Sequence, residues 1–318
     1  MPSWRSWHRP LMVFAASMAV LTVVSGIGMI VDDRILVGSP IWFKPFKFSI
    51  SLMIYAPALA WMLSMATRGR RVGWWAGTVV ALAGTIEMVI ITGQVIRGKR
   101  SHFNYATAFD TLLFNIMGAT TITLWVSSMV IAFLLFRSPL ADRPAAWAMR
   151  LGAAIAVVGA GLGNLMTRPT AQQRAEGELA KVIGSHNVGV PEGGPSMPIT
   201  GWSTTGGDLR IPHFVGMHAL QLIPLFLLAL ISLAPHFARL RDERVRLRLV
   251  LVAGGAYAAV VALVTWQALR GQALIHPDGE TLAAAAAILL AAVAGSLLAL
   301  RTTPLSRTAD NTHKELVT

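Results

Sequence analysis

The chain has 318 residues, 54% of them hydrophobic and only 13% charged, which places it outside the range of soluble globular domains. Its net charge of +12 does not point to nucleic acid, because a nucleic-acid reader gathers basic residues on one face with aromatic partners, whereas here they punctuate apolar runs. There is no cysteine, which excludes disulfides, thiolate nucleophiles and Cys-based metal sites.

Apolar runs lie at about 11–31, 46–66, 72–96, 108–136, 147–167, 212–234, 247–269 and 281–300, numbered here as spans 1 to 8. Each is long enough to cross a hydrocarbon core of about 30 Å at 1.5 Å per residue. The expected fold is therefore all-α, a polytopic membrane protein with about eight transmembrane helices. The opening Met-Pro-Ser-Trp-Arg-Ser-Trp-His-Arg-Pro reads as the flank of a signal anchor.

Cytoplasmic loops retain Lys and Arg, and that rule sets the orientation. Arg5, Arg9, Arg68, Arg70, Arg71, Arg137, Arg143, Arg150, Arg239, Arg241, Arg244, Arg246, Arg248, Arg301, Arg307 and Lys314 fall on one side, about 16 of the 27 basic residues. Both termini are then expected in the cytoplasm, with residues 301–318 as a cytoplasmic tail.

Spans 1–4 and 5–8 share an ordered set of features. Gly26-Ile-Gly28 and Gly161-Leu-Gly163 close the first span of each set, and Pro45 with Pro57 matches Pro212 with Pro224 in the second. Thr92, Gln94, Arg97 and Gly98 recur as Thr265, Gln267, Arg270 and Gly271, and Asp110-Thr-Leu112 as Glu280-Thr-Leu282. The expectation is two parallel four-helix repeats, 1–137 and 138–300, with a pseudo-twofold axis along the membrane normal.

The connection 168–211 is the longest and falls on the extracytoplasmic side. Ala171 to Ile183 suits an interfacial helix, while the Gly- and Pro-rich stretch from His186 to Asp208 is expected to be irregular. Trp202, Met197 and Ile199 suggest that it docks over the helices.

Polar groups cluster at the outer ends of spans 2, 3, 4 and 6. Span 6 brings in Arg210, His213, His218 and Gln221, with Asp208 placed to cap its first amides. His213 lies about 140° from His218 on a helix, so the two do not make the i, i+4 pair of a helix-borne zinc site without another element. His102 and Asp110 are candidates at the same depth, giving ligands for zinc or two axial nitrogens for haem b; the plain alternative is interfacial histidines bonded to loop carbonyls. On span 2, Lys44, Lys47, Ser51 and Tyr55 form one stripe that suits an anionic group, with Arg97 and Arg210. Glu87, in the middle of span 3 with Gly84 and Gln94 on its face, is a carboxylate at a depth where ionisable groups carry function. Asn164 ends span 5 within reach of the same layer, and span 8, mainly Ala and Leu, contributes packing.

The segments Ser101-His-Phe-Asn104, Gly201-Trp-Ser-Thr204 and Gly207-Asp-Leu-Arg-Ile-Pro-His-Phe-Val-Gly-Met-His-Ala-Leu-Gln221 resemble a family of bacterial polytopic membrane proteins without assigned activity. The resemblance covers spans 2 to 6 and implies a bacterial plasma membrane. A second likeness is to ceramidase-type membrane hydrolases, which use Ser, Asp and three His around zinc; this chain departs from them in span count and lacks their His-x-x-x-His pair.

Three functions follow as expectations. The first is an outward-facing site in which His102, His213 and His218 bind zinc or haem, Gln221 assists, Lys44, Lys47, Arg97 and Arg210 hold an anionic group, and Glu87 or Asp110 handles protons for hydrolase or redox chemistry. The second is a transporter of a small solute or lipid that uses Glu87. The third is an assembly or sensing protein. Membrane lipids are the expected partners and nucleic acid is not.

Overall fold

The computed structural model describes residues 7–140 and 142–301, and eight of its helices are long and apolar enough to cross a membrane. These are α1 (Arg9–Val31), α2 (Phe43–Met65), α3 (Arg70–Ile96), α4 (Ala108–Arg137), α5 (Arg143–Leu162), α7 (Arg210–Leu233), α8 (Glu243–Leu269) and α9 (Gly279–Leu300); α6 (Ala171–Glu176) is a short helix between α5 and α7. The residues of the signal-anchor flank before Trp7, together with Arg307, Lys314 and the tail from 302, lie outside the described residues.

The helix ends follow local chemistry. Thr107 Oγ1 accepts the Asp110 amide at the start of α4, and Asp278 accepts the Thr281 amide at the start of α9. Gly98 and Gly271, both with positive φ (69° and 74°), turn the chain just after α3 and α8.

The connections of the helices meet at two ends. At one end lie the 32–42, 97–107, 168–209 and 270–278 connections; the other holds His8 bonded to the Trp74 carbonyl and Ser138 bonded to the Thr67 amide. Helix α1 packs on α2, α3 on α4, α5 on α7 and α8 on α9, and the two groups meet through α4 with α5 and α2 with α7. Two buried clusters result: one around Leu11, Phe14, Met62, Ile91 and Met149, the other around Ala219, Ile223, Leu249 and Val250. Helix α9 stands at the edge, with only 6% of its apolar window buried.

The long connection is more regular than its Gly and Pro content suggests. The expected interfacial helix shrinks to α6 and a 3-10 turn at Gly177–Leu179. Beyond it, β3 (Asn187–Val188) pairs antiparallel with β4 (Gly207–Asp208), and Ser196 bridges Ser203. A smaller hairpin joins β1 (Ile35–Leu36) to β2 (Ser39–Pro40) between α1 and α2. Tyr105 N–H donates to Lys181 O at 2.9 Å and Ile183 N–H to Phe103 O at 3.1 Å, so the α3–α4 connection adds backbone bonds. The long connection is thus a folded lid, because its polar backbone finds partners in the other connections at that end. Trp202 docks against Phe214, but Ile199 stays 84% exposed, contrary to expectation.

Candidate functional site

The site is built where α2, α3 and α7 meet the lid. Lys47 Nζ on α2 donates to Thr200 O at 2.7 Å, and Arg210 at the head of α7 donates to Gly201 O at 2.7 Å. Two cations from different helices therefore hold consecutive carbonyls of one lid turn. Arg210 is itself fixed by Asp208, a fully buried carboxylate that accepts from its guanidinium at 2.5 Å and from the Ser203 amide at 2.9 Å.

A second latch was not anticipated from the sequence. Glu192 in the lid accepts from His186 Nδ1 at 2.8 Å, from the His186 amide at 2.6 Å and from Arg100 at 3.0 Å. His186 packs edge-on against Phe103, whose φ of 61° puts a bulky residue in the left-handed region. Backbone strain of that kind costs about 1–3 kcal/mol and persists where the surroundings over-determine it. The only trace in the sequence was a His and a Glu six residues apart in a Gly- and Pro-rich loop. A polar pocket of about 50 Å³ lies here, lined in part by His186, Asn187, Glu192, Ser196, Ser203 and Arg210. A larger hollow, about 440 Å³ between Trp75, Val79, Val126 and Val130, is an apolar groove between α3 and α4 away from these groups.

Burial pushes the His186 imidazole below its ordinary value, and the neighbouring Glu192 opposes this only in part. Glu192, despite its own burial, is held down at about 2 by its bonds to His186 and by Arg100. Both groups bind protons more readily in the unfolded chain, so both contribute stability that is lost on acidification. The His186 contribution begins to fall below pH 6.5 and that of Glu192 between pH 4.5 and about 2. Arg100, Arg210 and Lys44 face the same pair and add repulsion once His186 is protonated. Acidification from neutral pH is expected to loosen the lid, read as lower amide protection factors at 182–188, and His186→Gln should flatten that dependence; a lid equally protected throughout the range would contradict the latch.

Beneath the lid, Lys44 is half-buried near the start of α2. Its ammonium has no hydrogen bond or ion pair among the described residues and lies 5.8 Å from the centre of the Phe48 ring, the outer limit of a cation–π interaction. Its charge is within range of Glu192, Arg210, Lys47 and Glu87. Glu87 lies about 14 Å below the lidded end of α3 at 1.5 Å per residue. Its Oε1 accepts from Thr120 at 2.7 Å and Thr121 at 2.8 Å on α4, while Oε2 has no hydrogen-bond partner among the described residues. These bonds also meet the requirement for a carboxyl that only ties two helices. Further along the stripe, Tyr55 OH pairs with Ser128 on α4 at 3.0 Å.

The remaining expected site residues separate. His102 sits among Phe48, Phe103 and Phe114, and burial, reinforced by Lys44, holds its imidazole well below the ordinary value. His213 donates from Nδ1 to Gly159 O at 2.9 Å, against α5. His218 donates to Phe214 O and stacks on the Phe214 ring. Among the described residues no group of three His, Asp or Glu side chains is arranged to hold a metal ion, so these histidines do not form the expected three-ligand centre. Gln221 is buried with Oε1 unpaired among the described residues.

Asp110 and Arg97 are committed to each other. Asp110 accepts from Arg97 at 2.8 Å, Gln94 at 2.9 Å and Thr107 at 2.8 Å, tying the end of α3 to the start of α4. A carboxylate so saturated is a structural acceptor, and Arg97 is turned toward it and Gln94 through Nη1. Asn164 is exposed and bonds within its own helical turn.

Comparison with family models, curated proteins and solved structures finds no match. The geometry alone carries the functional reading.

Proposed function

We propose that this protein is a carrier of a small solute or lipid, with Lys44 as its binding cation and Glu87 as its proton-handling carboxyl. The observation that carries this is a pair of incompletely satisfied charges inside a helical bundle. Lys44 has no hydrogen bond or ion pair among the described residues, and Glu87 keeps one carboxyl oxygen unbonded within range of its field. Leaving a charge unpaired in such a place is costly, and a ligand that binds there removes the cost. The metal and haem reading has no comparable support, because His102, His213 and His218 each have a different local partner.

The carrier reading draws on the expected repeat. In each half the second helix carries an internal proline, Pro57 or Pro224, and follows an Asp-x-Arg fork, Asp32 with Arg34 or Asp208 with Arg210. Phe46 and His213, one offset apart with those prolines, each pack on a glycine of the preceding span, Gly26 or Gly163. Arg97 with Asp110 is matched by Arg270 with Asp278 between the third and fourth spans. Parallel halves of this kind place a ligand site near their junction, here α2 against α7. The run of basic residues at the opposite end favours a lidded end outside the cytoplasm, and the bacterial plasma membrane is the setting that goes with this reading.

The test is flux in proteoliposomes under an imposed proton gradient, screened over small organic and inorganic ions, with fluorescent phospholipids for lipid movement. Wild-type protein should move at least one class. Glu87→Gln should abolish the gradient dependence, and His218→Ala should leave it intact. Gradient-driven flux unaffected by Glu87→Gln sinks the assignment of Glu87.

A further inference from the structure

Arginines at the two ends of the bundle are partnered differently. At the lidded end Arg34, Arg97, Arg100, Arg210 and Arg270 each hold a carboxylate. At the opposite end Arg68, Arg70 and Arg71 gather around the start of α3, and their guanidinium groups have no ion pair or hydrogen bond among the described residues. The first turn of α3 carries no acidic residue and no side-chain cap, so the helix dipole adds to the same positive field.

Arg71 also lines the 440 Å³ groove between α3 and α4. The groove exists because Ala76 and Ser127 are small and buried where the two helices meet, while Trp75 on α3 and Val126 on α4 stand exposed beside them. Ser127 is nine-tenths buried and makes no hydrogen bond among the described residues, although Ser128 next to it bonds Leu124 O and Tyr55. No polar group of this chain therefore reaches across the floor.

Arg71, Trp75 and Val79 recur every four residues and share one face, with Trp75 about 6 Å and Val79 about 12 Å below Arg71 along the axis. Half of a hydrocarbon core is about 15 Å, so the groove runs through most of one leaflet and does not cross the membrane. The Trp75 indole N–H has no acceptor among the described residues, and Trp is the residue that sits at the boundary of headgroup and chain. A free cation, then a free N–H donor one turn deeper, then apolar walls follow the order of phosphate, ester and acyl chain in a phospholipid.

We infer that the α3–α4 groove binds one anionic phospholipid, with its phosphate on Arg71, an ester oxygen at the Trp75 N–H and an acyl chain along Val79, Val126 and Val130. Basic sites between transmembrane helices recognise anionic headgroups in this way. A choline headgroup would return a cation to Arg68 and Arg70, so the anionic lipid is preferred. The site lies at the end opposite Lys44 and stands apart from the carrier reading.

The experiment is native mass spectrometry of the full-length protein in detergent, titrated with phosphatidylglycerol and, separately, with phosphatidylcholine of the same chains. Wild-type protein should retain one phosphatidylglycerol, bound about fivefold tighter than phosphatidylcholine, the factor that one basic residue contributes toward an anionic headgroup. Arg71→Ala should lose about that factor for phosphatidylglycerol, and Arg71→Lys should keep it. Val126→Trp, which fills the groove from its exposed wall, should weaken both lipids, whereas Leu290→Trp on the exposed face of α9 should weaken neither. Both Arg71 and Val126 are exposed, so these variants leave the buried clusters untouched. Equal retention of the two lipids by wild type, phosphatidylglycerol binding undiminished in Arg71→Ala, or the same result for Val126→Trp and Leu290→Trp each overturns the site. A dimer that Val126→Trp dissociates makes the groove a contact between copies of this chain, and overturns it as well.

Discussion

Gly159→Val is expected to lower the stability of the protein by about 3 kcal/mol or more, enough to prevent its accumulation in the membrane. Helices α5 and α7 cross at Gly159 and Gly216, and a Cβ on Gly159 would lie 2.4 Å from the Gly216 carbonyl carbon and 2.5 Å from its Cα. What stands in the way is backbone, so no rotamer change relieves the clash and the helices must separate. Two further contacts go with them. A Cβ on Gly152 would already meet Ala219 O at 2.8 Å, showing how close the helices run, and the 2.9 Å bond from His213 to Gly159 O depends on that approach. Small residues allow membrane helices to gain dispersion contacts that no hydrophobic drive supplies in lipid. Gly93→Ala is the control: nothing lies within 4 Å of a Cβ there, so the lower backbone entropy of Ala should leave stability unchanged or slightly raised. Thermal unfolding in detergent reads both, and a Gly159→Val midpoint equal to that of Gly93→Ala would refute the packing account.

The Gly159-x-x-x-Gly163 spacing on span 5 is the kind of small-residue pattern that marks close packing of membrane helices, whereas nothing in the sequence marks Gly216 as its partner. The eight spans were legible, since a bilayer imposes length and polarity on each helix separately. The lidded site was not, because its parts come from separate connections. His186 and Glu192 belong to a stretch whose Gly and Pro content argues against regular structure, yet the Asn187–Val188 pairing with Gly207–Asp208 orders it. His102, His213 and His218 looked like a set because they share a depth. Depth says nothing of azimuth, and the Gly159 carbonyl, the Phe214 ring and the Phe103 side chain claim them separately. Asp110 and Arg97 were placed at the right end of the molecule, but a sequence does not show that each saturates the other.

Asp208→Ala is expected to release the lid and to cost about 3–5 kcal/mol, the range for removing one partner of a buried ion pair. The carboxylate is fully buried and makes three kinds of bond: to the Ser203 amide at 2.9 Å, to the Arg210 amide at 3.0 Å, and to the Arg210 guanidinium at 2.5 Å. Without it the guanidinium keeps only Gly201 O, and the Ser203 amide is orphaned. Strand β4 ends at this residue, so pairing with Asn187 should weaken and expose the 186–206 segment to protease. Asp208→Asn should be intermediate, since the two backbone amides use different carboxylate oxygens, so the amide oxygen still serves one of them while its NH2 opposes the other and the guanidinium. Asp32→Ala supplies the comparison within the same molecule. Asp32 and Arg34 form the same fork, but with the Arg34 side chain 47% exposed, so water compensates and little change is expected. Limited proteolysis with mass mapping, alongside thermal unfolding, should show cleavage within 186–206 for Asp208→Ala and a wild-type pattern for Asp32→Ala. An intact lid in Asp208→Ala would mean that Lys47 and the Glu192 latch suffice to hold it, and that the Arg210 fork orders the head of α7 rather than the lid.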